Sequence, residues 1–142
     1  MELEGKVWKD GKFWLVEVPS LNVMTQGKTR KEALFMIEDA ITGLINCYFK
    51  EEAREMLEIH INDYKDVIGL TSTNTRFLMA FSLKRQREIS GSTIQEVAER
   101  LGSKSPNSYA QYEKGKIRIS LDKYEQLLEA VNPIHHPMLR IV

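Results

Sequence analysis

The punctuation of residues 75–133 constrains the fold of this chain more than any other feature. Short apolar runs there alternate with residues that start or stop helices. Thr75 is placed to cap a helix from Arg76 to about Ser90, which Gly91 stops. Thr93-Ile94-Gln95-Glu96 forms a capping box, in which a hydroxyl and a carboxylate satisfy opposite free N–H groups. Behind it Ile94, Val97, Ala98 and Leu101 share one face, and Gly102 follows as the terminating residue. Ser105-Pro106 opens a third helix, cap then proline at the first helical position, that ends before Gly115. Ser120 caps a fourth, in which Leu121, Tyr124, Leu127, Leu128 and Val131 are apolar, and Pro133 closes it.

The whole chain has 142 residues with 20 Lys+Arg and 20 Asp+Glu, enough for one domain or two small ones. Zero net charge argues at first against nucleic acid, but the charges separate by region. Residues 1–75 hold 9 Lys+Arg against 13 Asp+Glu, a balance of −4, and residues 76–142 hold 11 against 7, a balance of +4. That asymmetry predicts two modules with different partners. Residues 62–75 show no sustained period and end in a Thr/Ser/Asn cluster, so they are expected to be the linker between modules 1–61 and 76–142. No apolar run approaches the ~18 residues of a membrane span, and Glu2 and Glu4 replace a basic leader, so a cytoplasmic protein is expected.

In the first module Asp10-Gly11 lies between two apolar-rich runs, a strong hairpin signal. A turn centred on that pair opposes Lys9 to Lys12, Trp8 to Phe13, Val7 to Trp14 and Gly5 to Val16. One face then carries Leu3, Val7, Trp14, Val16 and Val18, and the other Trp8, Phe13 and Leu15 among charges. Pro19 ends the second strand, and Leu21–Gln26 supplies a third. Thr29-Arg30-Lys31-Glu32 is a second capping box, and the apolar positions from Ala33 to Tyr48 predict an amphipathic helix over 30–50. Alternation of Leu57, Ile59 and Ile61 predicts a final strand from Met56 to Ile61. The module reads βββαβ. One helix covers one side of such a sheet, which leaves Trp8, Phe13 and Leu15 as candidate partner-binding residues unless another part of the chain folds over them.

The same segment resembles a known family. Trp14-Leu15-Val16-Glu17-Val18-Pro19, then Thr25-Gln26-Gly27-Lys28-Thr29-Arg30-Lys31-Glu32-Ala33-Leu34, then Asp39-Ala40-Ile41, are similar to the HicB antitoxins. The resemblance covers about the first 60 residues. It implies a partial ribonuclease-H-like fold that binds a small HicA-like mRNA-cleaving toxin.

The second module has the helix-turn-helix pattern of short helices with glycine at the turn. Gln95-Glu96-Val97-Ala98-Glu99-Arg100-Leu101-Gly102 and Tyr109-Ala110-Gln111-Tyr112-Glu113-Lys114-Gly115-Lys116 resemble the phage-repressor-like (Xre/Cro-type) helix-turn-helix family over residues 77–132. That resemblance implies a structural pair between Arg87 and Glu113, and operator double-stranded DNA as ligand. Ser103-Lys104-Ser105 makes the turn one residue longer than the family's spacing. Asn107, Ser108 and Gln111 are the candidate groove-facing readers, since Asn and Gln contact adenine bidentately and Ser reads less selectively. Lys104, Lys114, Lys116 and Arg118 suit phosphate contacts, which give affinity without sequence information.

Catalysis is not expected. A ribonuclease-H-like nuclease needs carboxylates converging on metal, and Glu17, Glu32, Glu38 and Asp39 do not supply a sheet-centre set. Cys47 reads as buried filler, His60 as a surface histidine, and no cofactor or metal is called for. The tail of Met138, Leu139, Ile141 and Val142 is apolar, and is expected to dock on its own domain or join a dimer interface. The expected fold is α+β, a βββαβ partial ribonuclease-H-like domain followed by an all-α helix-turn-helix domain. The expected function is an antitoxin that neutralises a HicA-like toxin and represses its own operon as a homo-oligomer, a dimer or a dimer of dimers. The alternative is a transcriptional repressor whose N-terminal domain senses a small ligand.

Overall fold

A computed structural model describes residues 1–49 and 57–142. The chain divides into two compact units, Met1–Thr75 and Arg76–Val142. The architecture is mixed α+β, with the sheet confined to the first unit and helices alone in the second.

The first unit is built on strands β1 (Leu3–Asp10), β2 (Phe13–Val18), β3 (Val23–Gly27), β4 (Ile59–Asp63) and β5 (Ile68–Ser72), with helix α1 (Arg30–Tyr48). They form one five-stranded sheet in the order β3-β2-β1-β5-β4, with every neighbouring pair antiparallel. The hairpin turn lies one residue later than expected: Asp10 opposes Phe13, and Gly11 and Lys12 make the turn. Gly11 has φ +60 while Lys12 is not left-handed, as a turn with glycine first requires. Partners therefore slide by two residues, Val7 opposing Val16 and Trp8 opposing Leu15. A slide of two preserves the faces, so the expected division of side chains holds.

Helix α1 covers the face of Val7, Val16 and Val18 and buries Ala33, Ile37, Ile41 and Ile45 against it. Each large aliphatic so buried stabilises the fold by about 1.5–3 kcal/mol. Its N-terminus forms where capping was expected, but with a modified box. The Glu32 N–H donates to Thr29 Oγ1 at 3.0 Å, and the Glu32 carboxylate reaches back to the Lys28 N–H at 2.8 Å, one residue earlier than a standard box. Gly27 permits the helix to approach, since a Cβ there would lie 2.5 Å from the Ala33 nitrogen. Gly43 is different: it sits inside the helix, a Cβ there would meet nothing, and glycine costs about 1 kcal/mol relative to alanine at such a position.

Three expectations for this unit need correction. The linker 62–75 contains the end of β4 and all of β5, which inserts between β1 and β4. The strand expected over Met56–Ile61 runs from Ile59 to Asp63 as β4, and Lys50 and Met56, expected as helix and strand ends, lie outside the described residues. Cys47 is exposed, because its position falls opposite the buried Ile41 and Ile45 stripe.

The second unit comprises α2 (Thr75–Ser90, its first residue at the boundary), α3 (Ile94–Arg100), α4 (Pro106–Glu113) and α5 (Leu121–Val131). Met79, Leu83, Val97, Tyr109, Ile119, Tyr124, Leu127, Ala130 and Val131 form its core. Leu121, in the first turn of α5, is exposed. The tail does not dock: Met138 and Ile141 are each 93% exposed, and residues 136–142 have no regular structure.

Candidate nucleic-acid interface

The helix pair α3–α4 is held by caps whose chemistry is local. At the start of α3 the Glu96 N–H donates to Thr93 Oγ1 at 3.1 Å and the Thr93 N–H donates to Glu96 Oε1 at 3.4 Å, so the capping box closes in both directions. At its end the Gly102 N–H donates to the Glu99 carbonyl at 3.0 Å and Ser103 N–H to the Ala98 carbonyl at 2.9 Å. Those two bonds define a Schellman motif, and Gly102 supplies the left-handed φ of +73. Gly115 ends α4 in the same way, through Tyr112 and Gln111.

The lengthened turn is closed by hydroxyls. Ser103 Oγ donates to the Ser105 carbonyl at 3.0 Å and lies 2.9 Å from Ser108 Oγ, which itself donates to the Ser105 carbonyl. Ser105 Oγ accepts from the Asn107 N–H at 3.3 Å as the cap of α4. The extra residue is thus absorbed by side chain–backbone bonds, and the two helices keep their packing through the buried Ala98 and Tyr109.

Beneath the pair lies Arg87, from α2. Its Nη2 donates to Glu113 Oε1 at 2.6 Å and its Nε to Glu113 Oε2 at 3.0 Å, while Nη1 donates to the Ser92 carbonyl at 3.1 Å. Arg87 is 16% exposed and Glu113 7%, so the fork joins α2 to the end of α4 out of reach of most solvent. The hydrogen bonds to Glu113 hold the Arg87 guanidinium above its ordinary pKa. Burial, with the Glu113 charge beside it, pushes the Tyr109 phenol far above its usual range, so it stays neutral.

On the outer side, Asn107 and Ser108 are exposed in the first turn of α4 and Gln111 is half-buried one turn later. Lys104 in the turn, Lys114 at the helix end, and Lys116 and Arg118 in the following loop are all exposed. Among the described residues none of these four cations is held in a salt bridge. Asn107 and Gln111, four residues apart, share a face. Ser108 differs, because its hydroxyl is engaged in holding the turn.

Arg100 is a residue the sequence did not single out. Its Nη1 donates to Ser92 Oγ and to the Ala130 carbonyl, both at 2.8 Å, tying α3 to the end of α5. Only the tertiary fold brings those partners together, so no spacing could have signalled it.

In the first unit Trp8 and Leu15 are half-buried and Phe13 is 42% exposed on the face away from α1. Met24, opposite Glu17 on that same face, extends the patch and is 55% exposed. Among the described residues no group of His, Cys, Asp and Glu could hold a metal ion, and no helix is long and apolar enough to cross a membrane.

Residues 83–137 match the helix-turn-helix family. No curated protein matches the chain. The second unit therefore carries a helix-turn-helix domain, the fold of DNA-binding transcription regulators.

Proposed function

We propose that this DNA-binding regulator is an antitoxin, whose first unit binds and neutralises a HicA-like mRNA-cleaving toxin while the second represses its own operon. It acts by binding, not catalysis. The observation that carries the regulatory half is the α3–α4 pair with exposed cations around Asn107 and Gln111 that form no salt bridge among the described residues. The toxin half is supported by the similarity of residues 14–41 to HicB antitoxins and by the apolar face of Trp8, Phe13, Leu15 and Met24. The acidic balance of residues 1–75 suits a basic partner whose natural ligand is RNA, since opposite charge speeds encounter.

Two measurements test it. Co-expression with the product of the neighbouring reading frame should relieve that protein's toxicity, and Phe13→Glu should abolish the relief; toxicity that persists beside the unaltered chain would exclude the antitoxin reading. In mobility-shift assays on DNA upstream of its own gene, Asn107→Ala and Gln111→Ala should each weaken binding by about 1–3 kcal/mol. Both variants should still neutralise toxin, and joint loss of the two activities would mark these positions as folding residues.

A further inference from the structure

The turn between α3 and α4 holds two serine hydroxyls whose protons are both engaged within it. Ser103 Oγ donates to the Ser105 carbonyl at 3.0 Å and accepts from the Ser105 N–H at 3.3 Å, so one side chain grips Ser105 on both sides. Ser108 Oγ, in the first turn of α4, lies 2.9 Å from Ser103 Oγ and 3.0 Å from the same carbonyl. Each hydroxyl has a single proton, and in every arrangement of these contacts the Ser108 proton goes to Ser103 or to the Ser105 carbonyl. Ser105 in turn caps the helix at the Asn107 N–H. Among the described residues, buried side chains hold α4 from Tyr109 onward, through Tyr109, Ala110 and Glu113. Pro106 is half-buried, and Asn107 and Ser108 are exposed. The first N–H groups of a helix have no partner inside it, so the place of Asn107 depends on the serine cluster rather than on the core.

We infer that Ser103 is a positioning residue for base recognition: with Ser108 it clamps the start of α4 and so sets where the Asn107 amide meets DNA. The inference rests on the reading of Asn107 and Gln111 as the groove-facing pair, and is independent of the antitoxin reading. Residues 103–105 have neither helical nor strand structure, and Lys104 among them is exposed, so side chains must fix the path of this turn. A base contact tolerates only a narrow range of distance, about 2.7–3.2 Å. Without the clamp Asn107 therefore drifts off its base, while Gln111, next to the buried Ala110 and one turn further on, stays in place. Lys114, Lys116 and Arg118 lie at and beyond the other end of α4, so the phosphate contacts they suit do not depend on the clamp. Ser108 belongs to the clamp and does not read a base.

The test uses the purified full chain and the duplex it binds most tightly from a random pool, compared with a scrambled duplex of equal length. The ratio of the two affinities should fall about tenfold in Ser103→Ala, as loss of one good base contact does. The fall should be confined to the base pair whose preference Asn107→Ala also erases, with the preference erased by Gln111→Ala retained. Affinity for the scrambled duplex, its salt slope and the urea midpoint of the helical signal should change little. Ser108→Ala should match Ser103→Ala, and the double variant should lose no more than either alone. Ser103→Thr, which keeps the hydroxyl, should retain the full ratio. An unchanged ratio, an equal fall on both duplexes, additive losses, or a Ser103→Thr that behaves like Ser103→Ala would overturn the inference. If the unaltered chain selects no duplex, the DNA-binding reading fails and the inference with it.

Discussion

Replacing Glu113 with alanine leaves the Arg87 guanidinium buried with its charge uncompensated. Three nitrogen–oxygen approaches of 2.6–3.2 Å are lost at once, and among the described residues the hydrogen bond to the Ser92 carbonyl remains, with the Glu88 carboxylate as a weaker electrostatic neighbour. Breaking one side of a buried, forked ion pair costs about 3–5 kcal/mol. A unit of this size is stable by only about 3–10 kcal/mol in all, so the second unit should unfold at low urea or without it. Both tryptophans, Trp8 and Trp14, lie in the first unit, so their fluorescence reports that unit, while far-UV circular dichroism also follows the helices of the second. The expected result is an early loss of helical signal by about 3 M urea or more relative to the unaltered chain, with the tryptophan midpoint unmoved. Arg87→Met together with Glu113→Leu should be less destabilising than Glu113→Ala alone, because no orphaned charge remains. A cost below about 1 kcal/mol for Glu113→Ala, or a double variant as unstable as the sum of the singles, would refute the buried-charge reasoning.

Lys116→Ala should weaken DNA binding by similar factors on all sequences and reduce the salt slope by about one, measured by titration at several salt concentrations. Gly27→Ala forces the α1 backbone away from β3 and should cost about 1–3 kcal/mol, read from the urea midpoint of tryptophan fluorescence. The hydrogen bond from Arg30, at 2.6 Å, holds the Asp63 carboxyl below its usual pKa. Its contribution is therefore complete at neutral pH, above the unfolded value, and is lost as pH falls through the lower folded value. At this solvent-screened site the amount is only about 0.2–1 kcal/mol, so Asp63→Asn should lower stability by about that much at neutral pH and slightly flatten the acid limb of the stability–pH curve, leaving its slope above pH ~5 unchanged.

Helix limits in the second unit were legible because capping and termination are local. Thr93, Ser105, Ser120, Gly91, Gly102 and Gly115 act within a few residues of themselves, and each does what its spacing predicts. β5 was not legible. Val67, Ile68, Gly69 and Leu70 are all buried, so the segment shows no alternation to set it apart from a connector, and its place between β1 and β4 depends on a pairing with Leu3–Gly5 that is distant in sequence. The hairpin register slipped because Asp10-Gly11 and Gly11-Lys12 both offer a glycine turn, and cross-strand packing decides between them. At the candidate site, Asn107 is exposed and Gln111 half-buried on α4, and Lys104, Lys114, Lys116 and Arg118 are exposed around it. The engagement of Ser108 and the bridge made by Arg100 depend on partners that only the folded chain brings near.

The insertion of β5 beside β1 gives the first unit a particular folding order. β1 and β2 meet across a two-residue turn, but Leu3 finds Leu70 only after nearly the whole unit has been synthesised. β4 pairs with β5 alone, so a fragment ending at residue 61 has a strand with no neighbour. Closing so long a loop is slow, and a nascent chain must hold an open β1 edge until residue 72 leaves the ribosome. The N-terminal unit is therefore a single kinetic object of 75 residues, and its earliest and latest segments lie side by side.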